Sequence, residues 1–112
     1  MPETGDPRLR AIRIKTGVAK RIAKERDSYV KEAEQHKAKL EKMKEEGKED
    51  RDISHQEAML QETLQVVPDC HKRLIDAYND LKRIVESETD LSESEEYQAA
   101  RDILNEIAPV VA

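Results

Sequence analysis

The chain has 112 residues, enough for one small domain, with a net charge of −5 and 40% charged residues. Only 3% of the residues are aromatic, and three Gly and four Pro are too few for a turn-rich all-β fold. A hydrophobic content of 37% exceeds that of a disordered acidic tail. No apolar run approaches the roughly 18 residues of a membrane span, and the N-terminus lacks the apolar segment of a secretory signal. The composition therefore favours long helices around a narrow apolar seam.

The first predicted helix spans about residues 7–46. Asp6 suits the N-cap position and Pro7 the first helical position, while Gly47 suits the C-terminal cap. Gly17 is the one weak point inside the helix, because Gly lowers helix propensity. A seam with alternating spacings of four and three residues runs along the helix: Ile12, Lys15, Ala19, Ile22, Arg26, Tyr29, Ala33, His36, Leu40 and Met43.

The second predicted helix spans about residues 52–88 and begins near Asp52 or Ser54, where Ser54 and Glu57 have the spacing of a capping box. Pro68 lies inside the periodic pattern, where its ring removes one hydrogen bond and clashes with the carbonyl of Leu64, so we predict a kink. The predicted seam is more regular than that of the first helix: Ile53, Glu57, Leu60, Leu64, Val67, His71, Leu74, Tyr78, Leu81 and Val85.

The third predicted helix spans about residues 92–108. Asp90 and Ser92 are suitable N-caps, and Pro109 is expected to end the helix so that residues 110–112 fray. Short turns make consecutive helices antiparallel neighbours. We therefore predict an all-α fold, an elongated antiparallel three-helix bundle shaped as a rod. Its second helix is kinked at the proline, its third helix is shorter, and residues 1–112 form a single helical domain.

The short third helix is expected to cover only residues 8–26 and 68–86 of the other two. Apolar residues outside the first helix's seam support this placement: Leu9, Ile14, Val18, Ala23 and Val30. The rest, about residues 31–67, is expected to be a bare two-helix hairpin and a contact surface. Its seam residues are expected to be partly exposed: Leu40, Met43, Met59, Leu60 and Val66.

Charge is unevenly distributed along the chain. Residues 1–26 carry a local net charge of +5, and residues 86–107 carry −7. The acidic third helix is expected to lie beside the basic start of the first, so that the two blocks largely neutralise each other. The stretch 8–26 contains no aromatic residue for stacking on nucleic acid bases, so nucleic acid is not an expected partner.

The residues that could carry chemistry form no catalytic or metal-binding pattern. His36 and His71 fall on predicted seam positions, and Cys70 is the only cysteine, which indicates a reducing compartment. No Gly-rich phosphate loop or nucleophile motif is present, and we expect no enzyme activity, metal or cofactor. The residues alone therefore predict a helical module that binds another protein.

Three segments of the chain resemble one family. Ile14–Val18 followed by Tyr29 is similar to the first helix of the tubulin-specific chaperone A family, also called tubulin-folding cofactor A. Val67–Cys70, with its Pro-Asp-Cys element, resembles the family's proline-interrupted second helix, and Glu95–Tyr97 resembles its third. The resemblance covers roughly residues 7–107.

The resemblance implies a cytoplasmic, cytoskeleton-associated chaperone that uses no ATP or metal. The family captures β-tubulin released from the cytosolic chaperonin, holds it, and passes it on for assembly of the α/β-tubulin heterodimer with other tubulin-folding cofactors. The sequence leaves open whether such a protein is a monomer or a weak homodimer. An alternative function is a structural coiled-coil adaptor that self-associates through the hairpin of residues 31–67, and a helical phosphotransfer domain is a third.

We place the docking face for β-tubulin on a basic edge and on apolar residues near the proline, because tubulin is acidic and the first helix begins with a local charge of +5. The hypothesis comprises these residues: Lys15, Lys20, Arg21, Lys24, Tyr29, Leu64, Val66, Val67 and Pro68.

Overall fold

A computed structural model describes residues 6–112, and nearly all of them are helical. The elements in chain order are α1 (Pro7–Glu45), α2 (Asp50–Ser87), a 3₁₀ helix (Thr89–Leu91) and α3 (Glu95–Val111). No strand occurs within residues 6–112. The all-α fold with three α-helices is therefore confirmed. Residues 1–5, on which the argument against a secretory signal rests, lie outside the described residues, and a single domain over 1–112 stays a prediction.

Gly47 ends α1, as the sequence predicts. Its φ of 69° lies in the left-handed region, which glycine adopts without steric cost. The Lys48 amide donates to the Met43 carbonyl at 3.1 Å, and the Gly47 amide donates to the Lys44 carbonyl at 3.2 Å. This pair of bonds is a Schellman motif, which satisfies carbonyls that the end of a helix leaves without amide partners.

Helix α2 begins at Asp50, two residues before its predicted start. The Glu49 carbonyl accepts hydrogen bonds from the amides of Asp52 (3.0 Å) and Ile53 (3.1 Å). The predicted capping box at Ser54 is therefore wrong, because that residue already lies inside the helix. The early start suits the acidic residues of the first turn, which lie at the positive end of the helix dipole.

Pro68 lies inside α2, and the helix continues beyond it to Ser87. A proline has no amide hydrogen, so the carbonyl of Leu64 receives no helical hydrogen bond from it. The kink that we predict at this residue stays a prediction.

Helix α3 begins at Glu95, later than predicted, and Ser94 is its N-cap. The Ser94 hydroxyl accepts a hydrogen bond from the Tyr97 amide at 3.1 Å. Asp90 and Ser92 are not the caps, because Asp90 belongs to the 3₁₀ helix and the Ser92 amide is bonded to that helix.

Pro109 does not end α3, which continues to Val111. The Ala112 amide donates to the Ala108 carbonyl at 3.1 Å, so the last turn is formed. A proline this close to the end of a helix removes only the hydrogen bond to the Asn105 carbonyl, and the turn that follows is unaffected. The predicted fraying of residues 110–112 is therefore wrong.

The helices form two compact units, and the first comprises the described residues up to Lys24 together with Lys72–Ala112. Its α1 and α2 segments run antiparallel, since Arg8 pairs with Glu88 at 2.7 Å and Lys15 pairs with Asp80 at 3.5 Å. All three helices contribute to its buried core: Ile12, Ala19, Ile22, Leu74, Ala77, Leu81, Val85, Tyr97, Ala100 and Ile107. Ile14, predicted to pack against the third helix, is instead 54% exposed, because it lies outside the stripe that contains Ile12.

Tyr97 connects α3 to the end of α2. Its ring is buried, and its hydroxyl donates to the Val85 carbonyl at 2.9 Å. Val85 lies in the last turn of α2, where carbonyls have no amide of a following turn to pair with. The tyrosine therefore fills the core and satisfies a helix end at the same time.

The second unit, Glu25–His71, is a hairpin of the second half of α1 and the first half of α2. Its buried cluster contains Ala33, Leu40 and Leu60, with Ile53 packed against it. The predicted partial exposure of Leu40 and Leu60 is wrong, because only 7% and 8% of their surfaces remain exposed. Met43 and Met59 are half-buried, and Val66 is 39% exposed.

Gly17, inside α1, and Gly47, just after its end, give a matched pair of substitutions with opposite expected effects on stability. A Cβ added at either Gly17 or Gly47 meets no atom within 4 Å, so neither substitution creates a clash. Gly17→Ala should stabilise the fold by up to about 1 kcal/mol through higher helix propensity. Gly47→Ala should destabilise it by about 1 kcal/mol, because alanine must adopt the positive φ. Urea denaturation checks both, and a loss of stability in Gly17→Ala would contradict the α1 assignment at that residue.

Removing the Tyr97 hydroxyl should destabilise the first unit. Tyr97→Phe leaves the buried Val85 carbonyl without its donor, which should cost about 1–2 kcal/mol in thermal or urea denaturation. Tyr78→Phe is the control, because the Tyr78 hydroxyl makes no hydrogen bond within residues 6–112. Equal losses of stability in the two variants would mean that the effect of Tyr97→Phe comes from the surroundings of the ring and not from the hydrogen bond of the Tyr97 hydroxyl.

Candidate partner-binding surfaces

A basic cluster on α1 consists of Lys20, Arg21 and Lys24, three of the four predicted basic residues. All three side chains are exposed, and none forms an ion pair within residues 6–112. Their spacings of three and four residues place them on adjoining parts of one helix face. The cluster is therefore an available positive surface of the first unit.

Lys15, the fourth predicted basic residue, is not part of this cluster. Its Nζ lies 3.5 Å from Asp80 Oδ2 on α2, and its side chain is 44% exposed. The pair lies at the surface, so it contributes little to stability. It does direct the lysine towards α2, and the sequence alone could not reveal this partner.

Arg8 is surrounded by three carboxylates at the start of α1. Its guanidinium lies 2.7 Å from Asp6, 2.7 Å from Glu88 and 3.0 Å from Asp90. The side-chain hydrogen bond from Arg8 is the main cause that holds the pKa of Asp6 below its ordinary value. The same three carboxylates raise the pKa of Arg8.

The predicted neutralisation between helix 3 and the start of helix 1 is therefore partly wrong. Glu88 and Asp90 belong to the connection before α3, and Asp80 belongs to α2. The acidic residues of α3 itself form no ion pair with α1 within residues 6–112. Within residues 6–112, ion pairs that join the basic start of α1 to later elements are thus limited to Arg8 and Lys15, and the basic cluster has none.

The predicted apolar docking residues do not form one patch. Leu64 and Val67 line one groove of the second unit, whereas Tyr29 and Val66 line a different pocket. Pro68 is exposed and lines neither. The second unit therefore offers two separate concave surfaces between α1 and α2.

The larger of the two, which we name the hairpin groove, has a volume of about 580 Å³. Its floor is apolar: Val30, Ala33, Leu40, Leu60, Leu64 and Val67. Its α1 edge is charged: Glu34, Lys37, Glu41 and Lys44. Leu64 is the most exposed of the floor residues, at 44%. An apolar floor with a charged edge is typical of surfaces that bind another polypeptide.

The smaller pocket, of about 250 Å³, contains part of a polar network. Thr63 Oγ1 donates to Glu32 Oε2 at 3.0 Å, and His36 Nε2 lies 3.7 Å from the same carboxylate oxygen. Gln56 Nε2 lies 3.1 Å from His36 Nδ1 and donates to the His36 carbonyl at 3.2 Å. His36 thus has a structural role between the two helices.

The seam of α2 differs from its prediction in one of its two rows. In the first row, Leu60, Leu74 and Leu81 are buried as predicted, and Ile53 and Val67 are half-buried. In the other row only Val85 is buried as predicted, and the remaining four residues are exposed or half-buried: Glu57, Leu64, His71 and Tyr78. The residues buried in their place each lie one position earlier: Gln56, Thr63, Cys70 and Ala77. This one-residue shift puts Leu64 on the surface and into the hairpin groove.

Cys70 and His71 form no recognisable reaction centre. The Cys70 side chain is 2% exposed, and its Sγ lies 4.0 Å from Glu25 Oε1. His71 is half-buried. Within residues 6–112, no three His, Cys, Asp or Glu side chains are grouped closely enough to hold a metal ion. The helices in this part of the chain also include none that is long and apolar enough to cross a membrane.

Comparison with known proteins gives one consistent family. The family model described as Tubulin binding cofactor A matches residues 7–104. The chain is 52% identical to tubulin-specific chaperone A of Homo sapiens, over 91% of this chain and 94% of that protein. It is 41% identical to tubulin-folding cofactor A of Arabidopsis thaliana, over 88% of this chain and 89% of that protein.

Solved structures agree with the sequence matches. The structure described as human tubulin chaperone cofactor A has a TM-score of 0.83 at 51% identity, covering 91% of this chain and 99% of that chain. The crystal structure of tubulin folding cofactor A from Arabidopsis thaliana has a TM-score of 0.86 at 36% identity, covering 92% and 97%. The resemblance deduced from the helical motifs is thereby confirmed.

Removing Arg8 should change the acid titration of Asp6. The folded pKa of Asp6 lies below its ordinary 3.8, so its contact with Arg8 stabilises the fold above that pH and is lost as the pH falls through the lower, folded value. In Arg8→Gln, the Asp6 pKa should rise towards 3.8, as measured by carboxyl NMR titration. Arg10→Gln, at an exposed arginine without an ion pair in residues 6–112, should leave it unchanged. An unaltered Asp6 titration in Arg8→Gln would contradict the assigned cause.

Proposed function

The chain belongs to the tubulin binding cofactor A family, and we propose that it is a tubulin-folding chaperone whose client is β-tubulin. The family match over residues 7–104, with 52% identity to a tubulin-specific chaperone A, carries the chaperone role. On this proposal the protein takes β-tubulin released from the cytosolic chaperonin, holds it, and passes it on, with other tubulin-folding cofactors, for assembly of the α/β heterodimer.

The proposed role is holding and not catalysis. The named relatives are chaperones and cofactors, which supports a function by binding alone. We place this function in the cytoplasm, in association with the tubulin cytoskeleton, since tubulin is its proposed client. We propose a monomer in the client complex, with one chain bound to one β-tubulin.

The basic cluster supports contact with an acidic client. Lys20, Arg21 and Lys24 are exposed, without ion pairs in the described residues, and close to one another on α1. Positive charges in such an arrangement attract an acidic protein over about one Debye length, roughly 8–10 Å at moderate ionic strength. We therefore expect capture to weaken as salt is raised.

A structural adaptor remains the second candidate, because the hairpin groove exposes Leu64 on the second unit. Apolar surface of this kind would also be found on a protein that self-associates through residues 31–67. Size-exclusion chromatography with light scattering separates the two functions. A peak at the 1:1 mass with β-tubulin, free of α-tubulin, is expected for the chaperone. No shift with β-tubulin, together with a free protein that is dimeric or larger, would support the adaptor.

Charge reversal tests the basic cluster within the same assay. The triple substitution Lys20→Glu, Arg21→Glu and Lys24→Glu should weaken β-tubulin capture by more than about tenfold, because attraction becomes repulsion. Lys31→Glu, Lys39→Glu and Lys42→Glu form the control, since these exposed lysines lie on the same helix and give the same change in net charge.

Circular dichroism should show that both triple variants stay helical. Equal weakening in the two variants would assign the effect to net charge alone. Unchanged capture in the first variant would remove the basic cluster from the docking face.

A further inference from the structure

We propose that the hairpin groove receives an amphipathic helix of mixed charge, about 14 residues long, contributed by the client. This inference rests on the proposed function, because the client is taken to be β-tubulin. It adds to that function the surface of the second unit that binds the client and the kind of client segment that fits there.

The chemistry of the floor favours a helix over an extended peptide. The floor consists of apolar side chains, and the backbone amides of α1 and α2 are already paired within their helices. An extended segment laid on this floor would have many amide and carbonyl groups without partners, each of which is costly to bury. A helix satisfies its own backbone and presents only side chains to the floor.

The dimensions of the groove set the length of its occupant. Its α1 side runs from Val30 to Lys44, which corresponds to about 21 Å at 1.5 Å per residue. A helix of about 14 residues, or four turns, spans that length. Three or four apolar residues spaced by three and four positions would face Leu64 and its neighbours.

The first unit shows that α1 and α2 accept a third helix. There α3 buries Tyr97, Ala100 and Ile107, which follow a helical spacing, and Tyr97 is hydrogen-bonded to α2. Helix α3 lies wholly in the first unit, so the second unit has only two helices. The proposed client helix has the same kind of apolar stripe as α3.

The charged edge selects the composition of that helix. Glu34, Lys37, Glu41 and Lys44 alternate in sign, and none of them forms an ion pair within residues 6–112. A uniformly acidic helix would be repelled at Glu34 and Glu41, and a uniformly basic one at Lys37 and Lys44. A helix with both signs at matching spacing complements all four.

A second copy of the chain is a poorer occupant. The buried face of α3 is already used in its own unit, and the buried stripes of α1 and α2 face each other. Within residues 6–112, the chain therefore has no spare amphipathic helix to place in the groove of another copy. We therefore assign the helix to the client and not to a second copy.

The first test replaces Leu64, the most exposed floor residue, by glutamate. Leu64→Glu should weaken β-tubulin binding by at least about tenfold, because the carboxylate would have to be desolvated against the incoming helix. The control is Ile14→Glu, a substitution at an apolar residue of α1 that is also exposed (54%, against 44% for Leu64) and lies outside the groove, and it should bind as the unsubstituted protein does. Since both sites are exposed, both variants should unfold at nearly the same urea concentration as the parent.

The outcomes separate this inference from the proposed function. Capture of β-tubulin by the parent and equally by Leu64→Glu would overturn the groove while leaving the chaperone function intact. Failure of the parent to capture β-tubulin would overturn both.

A second test reverses the sign of each charged side chain on the α1 edge of the groove without changing the net charge of that edge. The combined substitutions Glu34→Lys, Lys37→Glu, Glu41→Lys and Lys44→Glu should weaken capture by about tenfold, since every edge contact changes sign. Unchanged capture would overturn the assignment of a mixed-charge helix.

Photo-crosslinking identifies the occupant directly. With a benzophenone amino acid in place of Leu64, mass spectrometry should find the adduct on a β-tubulin segment that is helical, amphipathic and of mixed charge. An adduct on an extended or uniformly acidic segment, or between two copies of this chain, would overturn the proposal.

Discussion

The antiparallel pairing of α1 with α2 is the interaction on which the rest of the structure depends. Each helix buries a single stripe, and in the second unit the stripe of α2 includes the polar residues Gln56 and Thr63. Both residues are satisfied across the interface, by His36 and Glu32 respectively. A slip of the pairing by one turn would leave the Gln56 amide buried without its partners on His36, at a cost of about 1–3 kcal/mol, and would leave Thr63 only the Met59 carbonyl of its own helix. Polar contacts thus fix one register of α1 against α2, whereas a purely apolar seam would allow several registers of similar energy.

That register also decides what the protein presents to a partner. With Thr63 inside the seam, Leu64 lies outside it, where 44% of its surface is exposed. The same register aligns the charged edge of α1 with the apolar floor of the hairpin groove. The surface is a consequence of how the two helices pair.

Much of the fold was predictable because it depends on local signals. All ten predicted seam residues of α1 are buried or half-buried, and Gly47 ends α1 as its position indicates. The errors occur where a distant partner decides. From hydrophobicity alone, Leu64 is a better candidate for the buried seam than Thr63. The partner that lets Thr63 be buried instead is Glu32, which lies 31 residues away on α1 and leaves no local signal in the sequence. For the same reason, sequence alone grouped Lys15 with the basic cluster, whereas the structure pairs it with Asp80.

The two candidate surfaces differ in the physics by which they would bind, and this difference suits the proposed role of holding a client and then releasing it. Charge attraction at the basic cluster acts at a distance and is screened by salt, so it mainly raises the rate of encounter. The hairpin groove acts only on contact and so mainly lowers the rate of dissociation. On the proposal made above, a competitor that displaces the client from one of the two surfaces is sufficient to weaken the whole complex. Linked binding sites lose their joint affinity when either site is no longer occupied.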